Sequence, residues 1–290
     1  MKRLMVLSAL LLFATSLLSA TPDQLIAAAK AALQQNDADR AADLLEQLVK
    51  LSPNSSEAHL LLGEAYGRQA QQASIFKAPG LASKTRTEFE TAVNLDPNNI
   101  DARFALVDYY CIAPGFMGGS YDKAFAQAQE IKKRDPLEGH RAYARVYSAQ
   151  KKPNEALNEA VAAVREQPSL SKAHYYLALT LMGQKSYKDA GPELDTTLRL
   201  DQSYMPAYFR IGQLAALSSS DYVRGEESLK KYLAYKPVED EPPLYRAHYW
   251  LGQIYEKQGR KADAKQYFTT SLKLRPNQKD VTEALKRVSE

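Results

Sequence analysis

Prolines that interrupt helical apolar patterns recur along this chain, and they constrain its fold more than any other feature. They lie at Pro53, Pro97, Pro136, Pro168, Pro237 and Pro276. The pair Asp201-Gln202 fills the one gap in the series. A recurring interval of roughly 34 residues predicts an array of stacked repeat units, because one globular core would impose no such period.

Small and apolar residues recur at fixed distances before these breaks. Twelve positions before each break the chain has Ala41, Thr85, Ala124, Ala156, Ala190, Gly225 and Ala264. Eight positions before it come Leu45, Phe89, Ala128, Ala160, Leu194, Leu229 and Phe268. Small residues earlier in the units are Gly63, Ala144, Ala178, Gly212 and Gly252, followed three positions later by Tyr66, Tyr147, Leu181, Ala215 and Tyr255. Helical apolar spacing in each half predicts two antiparallel helices per unit, packed most closely at the small residues.

This order of residues resembles the tetratricopeptide repeat, over nearly all of the chain after residue 21. The resemblance implies an all-α fold, a right-handed superhelical solenoid of stacked helix-turn-helix units, and a protein that works by binding. The six to seven units are expected at 21–54, 55–98, 99–136, 137–169, 170–203, 204–238 and 244–276. Residues 277–290, with Val281, Leu285 and Val288 on one face, are expected to form a capping helix.

The first twenty residues are typical of a secretory signal peptide. Lys2 and Arg3 precede an apolar run that ends at Leu18, and Ser19-Ala20 supplies the small residues of a cleavage site. The run is shorter than the roughly 20 residues that a membrane span needs, so cleavage is favoured over an anchor. We therefore expect a secreted protein, in the periplasm of a bacterium, with no stable membrane anchor after cleavage.

Charge and cysteine content narrow the possible partners. The chain has 38 basic and 34 acidic residues, and the predicted mature form, without Lys2 and Arg3, is closer still to neutrality. Its basic pairs are scattered over different units, so we expect no nucleic acid as a partner. Cys111 is the only cysteine, which rules out an internal disulfide, and a partly buried structural thiol is expected.

Two units are longer than the repeat, and the extra residues are expected to form neighbouring loops at 75–81 and 112–119. Both segments contain Ala-Pro-Gly. Their apolar residues include Phe76, Leu81, Ile112, Phe116 and Met117. Two interpretations stay open at this stage: the loops bind a small ligand or a cell-wall fragment, or they cover exposed core.

No pattern in the sequence predicts catalysis, a metal site or a cofactor. The four histidines, His59, His140, His174 and His248, occupy equivalent positions of their units. Equivalent positions of stacked helices are separated by roughly 8 to 10 Å, whereas ligand atoms must lie within about 2.3 Å of a zinc ion. The histidines are therefore expected to be packing residues.

The resemblance implies a concave binding surface formed by the first helix of each unit, chiefly by its second, fifth, ninth and twelfth residues. At the fifth and ninth positions we predict partner-binding residues Phe104, Asp108, Arg141, Arg145, Tyr175, Phe209, Gln213 and Tyr249. Aromatic residues and arginines are enriched at binding hot spots. The alternative, that the aromatic rings simply pack on the next unit, stays open. The function expected is a non-catalytic scaffold or adaptor that binds an extended peptide or partner protein in the groove.

Overall fold

The computed structural model describes residues 20–238 and 241–290. The predicted signal peptide lies outside the described residues, except for Ala20. The chain divides into two compact units, of which the first ends at Lys152 and the second begins at Pro153. This division falls between the two helices of the repeat that the sequence predicts at 137–169.

The described part of the first unit is built entirely from helices and turns. Its helices are α1 (Pro22–Gln34), α2 (Ala38–Leu51), α3 (Ser56–Gln72), α4 (Ala78–Leu95), α5 (Ile100–Ile112), α6 (Tyr121–Arg134) and α7 (Pro136–Ala149). A short 3-10 turn, Gly115–Met117, lies between α5 and α6. The pairs α1–α2, α3–α4 and α5–α6 pack as hairpins, and each packs on the next.

The second unit has the same organisation in its described residues. Its helices are α8 (Pro153–Glu166), α9 (Ser171–Gly183), α10 (Tyr187–Leu200), α11 (Met205–Ser218), α12 (Tyr222–Leu233), α13 (Leu244–Lys257), α14 (Lys261–Leu274) and α15 (Lys279–Arg287). The hairpins are α9–α10, α11–α12 and α13–α14, and α15 packs on α14. The all-α repeat fold expected from the sequence is confirmed.

Polar caps and prolines explain where many of these helices begin and end. Thr21 accepts the backbone N–H of Gln24 in a capping box at the start of α1. At the start of α2, α3 and α5, the side chains of Asp37, Ser55 and Asn99 each accept one backbone N–H from the first turn. The repeated prolines all follow a helix end. The helical boundaries are thus encoded locally, before any packing between units.

Close approach of the two helices in a hairpin requires glycine at three of the predicted positions. A Cβ atom added at Gly63 would lie 2.5 Å from the Phe89 ring, and one at Gly212 would lie 2.1 Å from Leu229. One at Gly252 would lie 2.4 Å from Phe268. The prediction of tight packing is confirmed there and at the buried Ala178, whereas Ala144 is only partly buried.

The extra residues of the second predicted repeat lengthen helices rather than a loop. Residues 78–81 form the first turn of α4, so only 73–77 connects it to α3. The prediction of a loop across 75–81 is therefore wrong for its second half. Proline is acceptable in the first turn of a helix, which is why Ala-Pro-Gly starts a helix here. In the third repeat, residues 113–120 do connect two helices.

Candidate functional site

First helices of consecutive repeats lie side by side in the first unit, which brings their predicted binding residues together. Helices α3, α5 and α7 contact one another in that order. Phe104 and Asp108 lie one turn apart on α5, and Arg141 and Arg145 lie one turn apart on α7. The structure brings these four residues into direct contact, as two pairs across the α5–α7 interface.

The first of these pairs is a cation–π contact. The guanidinium carbon of Arg141 lies 4.2 Å from the centre of the Phe104 ring. Arg141 also donates from Nη1 to Oε2 of Glu138, at 2.8 Å. The arginine side chain is 46% exposed, while Glu138 is buried beneath it. The guanidinium is therefore held over the ring and still faces solvent.

The second pair is an ion pair between neighbouring first helices. Arg145 donates from Nε to Oδ1 of Asp108, at 2.6 Å, and the two side chains are 34% and 43% exposed. Cys111 lies near this pair and is partly buried, as expected. Burial raises the pKa of the Cys111 thiol, and the nearby Arg145 charge opposes that rise. A raised pKa makes the thiol a weak nucleophile at neutral pH.

These contacts bear on the prediction that Arg141 and Arg145 bind a partner. Each arginine already has an acidic neighbour of its own, Glu138 or Asp108. A guanidinium carries five N–H donors in a planar fork, and one carboxylate does not saturate them. The internal contacts therefore fix the orientation of two forks on the surface.

The two aromatic residues predicted at mid-array in the second unit are placed differently. Tyr175 is 6% exposed and Phe209 is 2% exposed. The Tyr175 ring packs 5.0 Å from that of Tyr204, and the Phe209 ring lies 5.4 Å from that of Tyr232. The prediction that they are available to a partner is wrong in this structure, because large tyrosines from the neighbouring elements cover them. The alternative that such rings pack on the next unit holds for Tyr175, whereas Phe209 packs on Tyr232 of its own repeat.

Gln213 and Tyr249 remain partly exposed in the second unit. Arg210 donates to Oε1 of Gln213 at 2.7 Å and to the Tyr175 hydroxyl at 3.2 Å. Tyr249 stacks on Trp250, with ring centres 4.9 Å apart. Arg210 links α9 to α11 through these contacts. The sequence did not predict it as a site residue, because it lies outside the fifth and ninth positions.

The apolar residues of the two predicted loops divide into exposed and packed members. Phe76 is 92% exposed, Phe116 is 82% exposed, and Ile112 also projects into solvent. Leu81 instead packs against the core, and Met117 is partly buried, with its carbonyl accepting the Tyr109 hydroxyl at 2.6 Å. Rings this exposed do not enclose a ligand, so these contacts do not favour the small-ligand interpretation.

Two of the histidines act as clasps, each binding the proline carbonyl that precedes its own helix and a glutamate on the second helix of its hairpin. His59 donates from Nε2 to the Pro53 carbonyl at 3.0 Å, and its Nδ1 lies 2.6 Å from Oε2 of Glu88. His174 makes the same contacts with Pro168 and Glu193, at 3.0 and 2.6 Å. Burial lowers the pKa of His248. No group of three metal-ligating side chains occurs within residues 20–238 and 241–290.

Comparison with known proteins gives matches of two kinds. Sequence profiles of the tetratricopeptide repeat match residues 26–78, 142–204 and 245–278, together about half of the chain. No curated protein sequence matches significantly. In the described ranges, none of the helices combines the length and the apolarity needed to cross a membrane.

Solved structures of repeat proteins are also similar to this chain. A tetratricopeptide repeat protein from Parabacteroides merdae gives a TM-score of 0.54 at 15% identity, covering 93% of this chain and 99% of that one. The anaphase-promoting complex hetero-tetramer Cut9-Hcn1 gives 0.55 at 14%, covering 93% and 48%. The human IFIT1 dimer with PPP-AAAA gives 0.57 at 17%, covering 93% and 63%. This chain thus spans about half of the matched chain in the Cut9-Hcn1 structure. At these identities the likeness shows the fold alone.

Proposed function

Because the chain belongs to the tetratricopeptide repeat family, we propose that it is a non-catalytic scaffold that binds an extended peptide or a partner protein. Repeats of this family generally mediate protein–protein interactions. The binding surface in this proposal is the face of α5 and α7 that carries Phe104, Asp108, Arg141 and Arg145. We call it the arginine face.

The observation that carries the proposal is the contact of Arg141 with Phe104. The arginine lies over the aromatic ring at 4.2 Å and remains 46% exposed. Such a ring and cation present an apolar surface and fixed donors together, which is the composition of binding hot spots. The adjacent Arg145–Asp108 pair extends the same surface with charges of both signs. A segment with acidic and apolar side chains complements it.

Two features of the chain support a protein partner and an extracytoplasmic location. The charge is nearly balanced, with 38 basic and 34 acidic residues, so the chain lacks the excess of cations that nucleic-acid binding exploits. The order of charged, apolar and small residues in 1–20 supports export to the bacterial periplasm or cell envelope. N-terminal sequencing from the native host tests export, and an intact Met1 start in a membrane fraction contradicts it.

The test of function compares two double variants of equal charge change. Partners captured from envelope extract by the wild-type chain are titrated calorimetrically into Arg141→Ala/Arg145→Ala and into Lys77→Ala/Lys152→Ala. Removal of a hot spot of about 1 to 3 kcal/mol predicts several-fold to hundredfold weaker binding for the arginine variant alone.

The lysine variant is the control, because Lys77 and Lys152 are exposed and lie away from the arginine face. Equal affinity of both variants and the wild type contradicts the arginine face as the binding surface. Capture of RNA in place of protein contradicts the proposed partner class.

A further inference from the structure

Tyrosines fill the same cleft in three repeats of this chain, each with its hydroxyl on a carboxylate. The cleft lies between the second helix of one repeat and the second helix of the next. Tyr66 donates to Glu46 at 2.7 Å, and Tyr110 donates to Glu90 at 3.0 Å. In the other unit Tyr255 donates to Glu226 at 2.7 Å. In each case the acceptor belongs to the preceding second helix.

A cation also lies over the face of each of these three rings. Lys84 is 4.7 Å from the centre of the Tyr66 ring, and Lys123 is 5.6 Å from that of Tyr110. The guanidinium of Arg260 is 4.1 Å from that of Tyr255. Each tyrosine therefore has a carboxylate on its hydroxyl and a cation over its ring, which suits both the hydroxyl and the electron-rich ring face. Beside Tyr255 the two charges also pair with each other, Arg260 with Glu226 at 3.5 Å.

At the corresponding position of α11 the chain has Ala215 instead of a tyrosine. Ala215 follows Gly212 by three residues, as Tyr66 follows Gly63 and Tyr255 follows Gly252. An alanine leaves the volume of a phenol ring unfilled. In α9, by contrast, the buried Leu181 fills this position.

The two groups that elsewhere bind the tyrosine are retained around Ala215. Asp195 follows Ala190 by five residues, as Glu46 follows Ala41. Arg224 directly precedes Gly225, as Lys123 directly precedes Ala124. Arg224 and Asp195 form an ion pair with each other.

An open cleft of about 360 Å³ is lined by both Ala215 and Arg224. Asp195 does not line it, but is joined to its edge by the ion pair with Arg224. Its apolar part is formed by Gly191, Ile211, Leu214 and Ala215, and its polar edge includes Lys188 and Arg224. The volume lies within the roughly 300 to 1,000 Å³ of ligand pockets. Gly191 widens the cleft, since a Cβ atom added there would touch only Leu214, at 3.8 Å.

We propose that this cleft, the Ala215 cleft, binds a tyrosine side chain presented by a partner peptide. The ring replaces the one that the chain supplies itself in three other repeats. The hydroxyl donates to Asp195, and Arg224 turns from Asp195 onto the ring face. Tyrosine is favoured because Asp195 can accept its hydroxyl and Arg224 can contact its ring. A purely aliphatic side chain would bind neither group. The Ala215 cleft is independent of the arginine face.

The experiment uses the full chain and N-acetyl-L-tyrosinamide, followed by amide NMR shifts of Gly191 and Ala215. We expect saturable shifts and weaker binding of the phenylalanine analogue, which lacks the hydroxyl. Loss of the hydrogen bond to a charged group, worth about 1.5 kcal/mol, predicts roughly tenfold weaker binding. Arg224→Ala should weaken binding several-fold, because a cation–π contact is worth about 0.5 to 1 kcal/mol.

Ala215→Tyr should fill the cleft from within and abolish the shifts, because the new ring takes the place of the probe. Leu217→Tyr is the control, since it adds the same ring at an exposed position of α11. Binding that survives Ala215→Tyr, or equal binding of both analogues, overturns the proposal. Arg224→Ala tests it even if Ala215→Tyr does not fold, and unchanged probe affinity in that variant also overturns it. The variant Arg141→Ala/Arg145→Ala should bind the probe normally. A failure of the arginine face to bind a partner can therefore be distinguished from a failure of the Ala215 cleft to bind tyrosine.

Discussion

Each of the two units of this chain has an aromatic ring at the fifth residue of a first helix, Phe104 in α5 and Phe209 in α11. One ring lies near the surface and the other in the core. In the first unit, Phe104 is partly buried and carries the exposed Arg141 on its face. In the second unit, Phe209 is 2% exposed and lies beneath Tyr232. The repeat therefore fixes the position of the ring but not its exposure.

The difference originates in the neighbours rather than in the ring itself. Tyr232 is fully buried, and its hydroxyl donates to the Pro242 carbonyl at 2.6 Å, which holds it against Phe209. Beside Phe104 the neighbouring first helix instead contributes Arg141, a long side chain that keeps its charge in solvent while its flat end covers the ring. An aromatic residue in a repeat array becomes core or surface according to one side chain of the next element.

The largest expected difference between the two rings is in the free energy of unfolding that is lost when each is truncated to alanine. Phe209→Ala should lower the free energy of unfolding by about 3 to 5 kcal/mol, because it leaves a cavity in a closed core. Phe104→Ala should cost only about 1 kcal/mol, chiefly the cation–π contact and partial burial. Urea denaturation followed by circular dichroism measures both. Similar losses in the two variants contradict the contrast between core and surface.

Leu194→Ala tests whether the core of the second unit is closed, with a somewhat smaller effect. Leu194 is fully buried on α10, so its truncation should cost about 2 to 5 kcal/mol. Faster hydrogen exchange should be concentrated in residues 153–290. Val161→Ala, at an exposed position of α8, serves as the control. An unchanged denaturation midpoint for Leu194→Ala contradicts the register of this repeat.

Alkaline pH should weaken both units through their buried tyrosines, with the smallest effect of the three. Burial, together with the charge of Glu90, raises the pKa of Tyr110 to about 12, from 10.0. Burial also raises the pKa of Tyr232. Because the folded state disfavours the phenolate, the stabilisation is intact below pH 10 and is lost as pH rises towards 12.

Urea midpoints at pH 8 and pH 11 measure this loss, and Tyr110→Phe is the matched variant. It should start less stable at pH 8, because it lacks the hydrogen bond to Glu90, and should decline less steeply with pH. An equally steep decline in Tyr110→Phe excludes Tyr110 as a source of the alkaline effect.

The sequence predicted the helices well because their signals are local. The proline breaks and the start at Thr21 act within a few residues of their own position. The small residues at Gly63, Gly212 and Gly252 act on the partner helix of the same hairpin, at a spacing that the repeat preserves. The lengthened α4 was missed because Ala-Pro-Gly suits a turn and a first helical turn equally.

The candidate site was predictable only in part, because exposure depends on contacts between distant residues. The fifth and ninth positions did bring Phe104 to Arg141 and Asp108 to Arg145. Nothing near Phe209 in the sequence shows that Tyr232 covers it. The Ala215 cleft was not predicted: the sequence shows an alanine where other repeats have tyrosine, but the open volume beside it depends on the contacts between helices.

The histidine clasp has a consequence for how such a chain can lengthen. All the groups bound by His59, the Pro53 carbonyl and Glu88, come from a single stretch of 53–88, and His174 repeats this within 168–193. In the repeat formed by α5 and α6, Arg103 makes the corresponding contacts. It donates to the Pro97 carbonyl and to Gln127, both at 2.8 Å. A duplicated gene segment would thus carry its complete fastening with it and need no adjustment in the copies on either side. In the three repeats that carry this clasp, the closing residue is histidine twice and arginine once.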